Sequence, residues 1–104
     1  MELSTQEVER FRQRGYCVRP GFYDQASIKK ISDWLDVLKT TPPPEGAEAC
    51  YYEQSPVTGE ELLVRVEHIL GAHNPEITRL MLTPKLLGAI TDLLGEEPVL
   101  FKEK

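Results

Sequence analysis

Three consecutive prolines, Pro42-Pro43-Pro44, followed by Glu45-Gly46, set the strongest single limit on what this chain can fold into. Each proline removes a backbone donor and pushes the residue before it out of the helical region, so no helix runs through Thr41 to Gly46. The chain therefore divides at an exposed loop, taken as residues 40–49. A domain of 104 residues buries only about two-thirds of the surface that its unfolded chain exposes, so it can fold alone with little margin.

Before the loop, two helices are legible. Ser4 and Glu7 form a capping-box pattern, Val8 and Phe11 share one helical face, and Gly15 supplies a left-handed stop, which predicts a helix from Thr5 to Arg14. Tyr16, Cys17 and Val18 favour an extended backbone and read as a strand that ends at Pro20, with Gly21-Phe22 as a turn. Asp24 then caps a helix reaching Lys39, whose stripe is Ile28, Ile31, Leu35 and Leu38, flanked by Trp34.

Beyond the loop the period changes. Tyr51-Tyr52 predicts a short strand, Ser55 to Gly59 a turn, and Leu62 to Ile69 a longer strand in which Leu62, Val64 and Val66 alternate with Leu63, Arg65 and Glu67. Asn74-Pro75 and Thr83-Pro84 each place a capping residue before a proline at the first helical position, so two helices start in succession. The second carries Leu86, Leu87, Ile90, Leu93 and Leu94 and stops at Gly95. Val99, Leu100 and Phe101 begin another strand, which reaches Lys104 without turn or cap, as a cut through a larger domain would.

Composition and charge exclude several functions. A hydrophobic content of 40% and a charged content of 28% predict a packed globular domain and no disordered tail. Twelve basic and 17 acidic residues, a net charge of -5, are scattered and form no stripe for nucleic acid or an anionic membrane. The start Met1-Glu2-Leu3-Ser4 has neither the basic nor the apolar region of a signal peptide, which with two unpaired thiols, Cys17 and Cys50, predicts a cytoplasmic protein.

Few residues suggest chemistry. Neither His68 nor His73 has a carboxylate two positions on, so the His-x-Asp arrangement of a two-histidine, one-carboxylate metal site is missing. No Gly-rich phosphate loop occurs, since the seven glycines are isolated. Trp34, Tyr51 and Tyr52 read as core aromatics, and the pairs Glu60-Glu61 and Glu96-Glu97 as solvated turn and helix-end charge. No catalytic residue and no metal ligand is assigned in this segment.

The order of three passages resembles the opening of the phytanoyl-CoA dioxygenase family. These are Leu3-Ser4-Thr5-Gln6-Glu7-Val8-Glu9-Arg10-Phe11 leading into Gly15-Tyr16-Cys17-Val18-Arg19-Pro20-Gly21-Phe22; the helix from Leu80 to Gly95 with Leu82-Thr83-Pro84-Lys85-Leu86-Leu87; and Pro98-Val99-Leu100-Phe101-Lys102-Glu103-Lys104. The resemblance covers nearly all of residues 1–104, read as the N-terminal portion of one domain. It implies an α+β segment: the N-terminal helices and first strands of a double-stranded β-helix, or jelly roll, whose barrel is incomplete in this chain.

By the same resemblance, the intact protein is an Fe(II)- and 2-oxoglutarate-dependent dioxygenase that uses O₂ to oxidise, most often hydroxylate, a small organic substrate. Its iron ligands lie later in the barrel, the remainder of which is this segment's implied partner. Lys102 and Lys104 occupy the strand where the family directs polar side chains at 2-oxoglutarate or substrate. Alternation puts both on one face with Leu100, opposite Val99, Phe101 and Glu103. That face is either the cosubstrate side or a solvated one, with Phe101 then in the core. A rival reading is a non-catalytic interaction module whose helical stripes, Ile28 to Leu38 and Leu86 to Leu94, pack on a partner chain.

Overall fold

The structure, a computed structural model, describes residues 1–104 as an α+β arrangement of four helices and one two-stranded antiparallel sheet. In chain order the elements are α1 (Thr5–Arg14), α2 (Gln25–Thr40), β1 (Ala49–Gln54), β2 (Glu61–Glu67), α3 (Pro75–Met81) and α4 (Pro84–Leu94). None of the helices is long and apolar enough to cross a membrane.

The helix ends follow local chemistry. Ser4 Oγ accepts from the Glu7 N–H at 3.2 Å while Glu7 Oε2 accepts from the Ser4 N–H at 2.7 Å, which closes the capping box of α1. Asp24 Oδ1 accepts from the Ser27 N–H at 2.7 Å at the start of α2, and Thr83 Oγ1 from the Leu86 N–H at 3.1 Å at the start of α4. Gly15 and Gly95 end α1 and α4 at φ 79° and 80°, a left-handed backbone that a side chain would strain.

At α3 the expected cap is absent. Asn74 is buried, and its Nδ2 donates to the Ile69 carbonyl at 3.2 Å instead of capping the helix. Thr78 does the joining here: its Oγ1 lies 2.6 Å from the Asn74 carbonyl and accepts from the Gly71 N–H at 2.9 Å. Asn74 therefore spends its side chain holding the 69–74 turn against α3.

The hairpin contains the main departure from expectation. Tyr51 pairs with Arg65 and Tyr52 with Leu63, so Val64 is an extra residue in β2 with no partner in β1. Such a bulge breaks the two-residue alternation. As a result Leu63 and Val66, three apart, both face the core, whereas Leu62 and Val64 face outward with Arg65. The grouping of Leu62, Val64 and Val66 on one face is thus corrected.

Two further expected strands do not form. Residues 16–19 and 97–104 belong to no strand, and Tyr16, Val18, Val99 and Phe101 are all exposed. Extended propensity makes a strand only where another backbone supplies donors and acceptors. Phe101 is accordingly in solvent, not in the core.

Packing is concentrated in two clusters. In the first, Leu3, Val8 and Ala89 are buried, with Phe22 and Leu93 against them, where α1 meets α4. In the second, Leu38, Val66, Ile69 and Ile77 are buried between α2, the hairpin and α3, with Ile31, Trp34 and Leu35 alongside. Of the α2 stripe, Leu38 is buried, Ile31 and Leu35 pack against the cluster in part, and Ile28 is exposed. Only 8 of 104 residues are buried and the radius of gyration is 16.5 Å. A compact domain of this length has about 13 Å, so the layers here are spread.

Candidate functional site

The polar side chains that the fold gathers lie where the 99–104 segment passes the end of β2. Antiparallel pairing places Tyr51 opposite Arg65, and the Arg65 guanidinium carbon sits 4.0 Å from the Tyr51 ring centre. Two residues on, Glu67 accepts from Tyr51 Oη at 3.4 Å and faces Arg65 Nε at 3.7 Å. Lys102 Nζ completes the group, 3.2 Å from Glu67 Oε1.

These contacts hold the Glu67 carboxyl below the usual glutamate range, first through the hydrogen bond from Lys102 and then by the attraction of Lys102 and Arg65, against partial desolvation. Glu103 adds a second anchor, since its Oε1 accepts from the Leu70 N–H at 3.2 Å. Two carboxylates thus tie the segment to the end of β2.

Of the two lysines assigned a cosubstrate role, Lys102 is turned to Glu67, whereas Lys104 stands at the rim of a groove between α2 and β2. That groove has a volume of about 660 Å³ and an apolar floor of Ile31, Trp34, Leu35, Leu63 and Val66. Lys39, Arg65 and Lys104 are its charged members, and no carboxylate lines it. Lys102 has a carboxylate partner and Lys104 lines the groove.

The remaining candidates are held apart. His68 and His73 stack with ring centres 4.4 Å apart and planes within 15°, and His73 Nε2 lies 2.7 Å from the His68 carbonyl. His68 takes a left-handed backbone, φ 57°, which lets the chain turn sharply after β2. No three His, Cys, Asp or Glu side chains gather in a way that holds a metal ion. Cys17 and Cys50 are free thiols, and burial against the second cluster pushes the Cys50 thiol up, away from the reactive thiolate.

Trp34 and Tyr52 serve the structure: Trp34 Nε1 donates to Glu48 Oε1 at 3.2 Å, tying α2 to the proline loop, and Tyr52 Oη donates to the Leu38 carbonyl. Sequence reasoning overlooked Arg65 and Glu67. Their signal is the cross-strand pairing with Tyr51, which a bulge one residue away hides from any alternation pattern.

No protein-family model matches the chain, and no solved structure matches it. Two curated proteins do. A 2-aminoethylphosphonate dioxygenase from the uncultured bacterium HF130_AEPn_1 is 34% identical over 105 residues, which span 100% of this chain and 40% of that enzyme. A methylphosphonate hydroxylase from Gimesia maris is 28% identical over 102 residues, 98% of this chain and 38% of that enzyme. The chain therefore spans about two-fifths of the length of the curated relatives it matches.

Proposed function

We propose that this chain is the N-terminal portion of an Fe(II)/2-oxoglutarate-dependent oxygenase of the phytanoyl-CoA dioxygenase type, and that the intact enzyme oxidises a small phosphonate. The observation that carries this reading is that similarity to a dioxygenase and to a hydroxylase, both named for small phosphonates, runs through 98–100% of the chain. A jelly roll is the fold that this reading implies for the whole protein, with the four helices and the hairpin as its opening elements.

The residues present do not fit a metal. The histidines are committed to each other and to a turn, and no carboxylate joins them. Iron ligation is therefore assigned outside residues 1–104, and no catalytic step is derived from this segment. The contribution proposed for this chain is binding. Lys102 and Lys104 supply ammonium groups suited to a dicarboxylate or a phosphonate. Of the two, Lys104 lines the groove without a carboxylate among the lining residues, whereas Lys102 would first have to leave Glu67.

The test is turnover. The chain extended to the length of its relatives is expected to consume O₂ and 2-oxoglutarate together when given methylphosphonate or 2-aminoethylphosphonate. Lys102→Met and Lys104→Met are each expected to raise KM for 2-oxoglutarate or for the phosphonate. No coupled uptake with either phosphonate removes the substrate assignment; unchanged KM values in both variants remove the lysines from the site.

A further inference from the structure

The hairpin has two faces, and packing uses one of them. Leu63, Val66 and Cys50 turn toward α2 and α3, and Tyr52 reaches the Leu38 carbonyl on the same side. Alternation then puts Tyr51 and Glu53 of β1 on the other face, with Arg65 opposite Tyr51 and Glu67 opposite Ala49. Tyr51 and Val64 remain 41% and 50% exposed. Tyr51, Glu53, Val64 and Arg65 border one depression. Its charges are not matched within the chain. The Arg65 guanidinium lies over the Tyr51 ring with Nε toward Glu67, and its terminal amino groups make no hydrogen bond. Glu53 is exposed and takes part in no ion pair.

From this we infer that the open face of the hairpin reads a zwitterionic aminoalkylphosphonate, with the phosphonate oxygens on Arg65 and the ammonium on Glu53. The inference rests on the phosphonate reading above and narrows it. A guanidinium presents parallel N–H donors that match two oxygens of a phosphonate, and stacking on an aromatic ring fixes its plane before a ligand arrives. Glu67 is already held by Lys102, Arg65 and Tyr51, so it orients the Arg65 fork and is not free to accept from an amine. Glu53 is free. It stands two residues along β1 from Tyr51 on the same face, about 7 Å further along the strand, which separates the two charges by the length of a short ligand. An alkylphosphonate without an amine places nothing against Glu53 and brings its own negative charge near it. The carboxylate therefore selects as well as binds.

Phosphorus NMR titration of the 104-residue chain with 2-aminoethylphosphonate and with ethylphosphonate, which lacks only the amine, decides it. The aminophosphonate is expected to bind several-fold more tightly. Glu53→Gln is expected to erase that preference, and Arg65→Met to weaken both ligands about tenfold. Arg65→Lys, which keeps the charge and loses the fork, should fall between. Helical circular dichroism should be unchanged in all three variants, since neither side chain belongs to a core cluster. Arg79→Met, which removes an exposed cation from α3, should leave both affinities as they were.

Equal binding of the two phosphonates, a preference that survives Glu53→Gln, or no binding by the chain overturns the inference. Arg79→Met weakening the ligands as much as Arg65→Met overturns it too, because the attraction is then diffuse. Turnover separates this result from the reading it rests on. An extended chain that oxidises a phosphonate with KM unmoved by Glu53→Gln and Arg65→Met keeps the oxygenase reading and removes the hairpin site. A chain that binds as stated, with an extended form that consumes no O₂ and 2-oxoglutarate, breaks the oxygenase reading and leaves the hairpin site standing.

Discussion

The two packed regions of this molecule are built by different rules. Around Leu3, Val8 and Ala89, two helices with complete caps meet, and the N-terminal residues are stapled down because Asp92 Oδ2 accepts from the Glu2 and Leu3 N–H groups at 2.6 and 2.7 Å. Arg19 secures the same stretch by donating to the Glu2 carbonyl at 2.7 Å. Around Leu38, Val66, Ile69 and Ile77, a helix lies on a hairpin whose faces are set by a bulge, and one side opens into the groove. The first region is closed by its own groups; the second leaves an apolar groove open beside it.

That contrast can be broken by substitution. The largest effect is expected at Leu38→Ala, which removes the central side chain of the open region. It should cost about 2–5 kcal/mol by urea unfolding, the range for a buried leucine truncated to alanine. A loss well under 1 kcal/mol would mean that α2 and the hairpin scarcely depend on each other.

In the closed region, Asp92→Ala removes two charge-assisted hydrogen bonds and should cost about 1.5–3 kcal/mol. Amide exchange at Glu2 and Leu3 should speed up with it. If those amides exchange freely in the unsubstituted chain, the staple is not formed. Ser4→Ala, which opens the capping box of α1, should cost about 1 kcal/mol.

A smaller change sharpens the comparison more. Deleting Val64 leaves Val66 and Leu63 inward and Arg65 and Leu62 outward, because the remaining residues then alternate. The expected change in stability is about 1 kcal/mol or less. A loss as large as that of Leu38→Ala would show that the bulge itself holds the sheet.

The smallest effect is with pH. Glu7 is held below its ordinary range first by the backbone hydrogen bond from Ser4, and Asp24 by that from Ser27. A carboxyl with a lower folded value contributes stability that is fully present above its unfolded value, about 4.3 for Glu and 3.9 for Asp, and is lost as pH falls through the folded value. The melting temperature should therefore drop as pH is lowered below about 4. Ser4→Ala should flatten the part of that drop owed to Glu7.

How much was legible in the sequence follows the same division. The bounds of α1, both glycine stops and three of the four caps are written in residues within one helical turn of each other, so local chemistry decides them. Asn74 escaped this logic because a carbonyl five residues back competes for its side chain. The faces of β2 were misread because nothing local marks Val64 as unpaired; only the register with Tyr51 and Tyr52 does. Tyr16 to Val18 and Val99 to Phe101 have strand-forming residues without strands, since a ladder needs a partner that propensity cannot supply. The lysines at 102 and 104 follow from family resemblance, whereas Glu67, which Lys102 contacts, and Arg65 beside Glu67 are brought together only by the fold.

The most direct measurement is anaerobic addition of Fe(II) and 2-oxoglutarate to the 104-residue chain and, separately, to the chain extended to the length of its relatives, followed by visible absorption. The short chain is expected to give no charge-transfer band and the long one to give the weak band of an oxygenase bound to both. A band in the short chain would put the metal among His68, His73 and nearby carboxylates. That result, or a long chain with no band, would contradict an oxygenase whose metal centre lies beyond these residues.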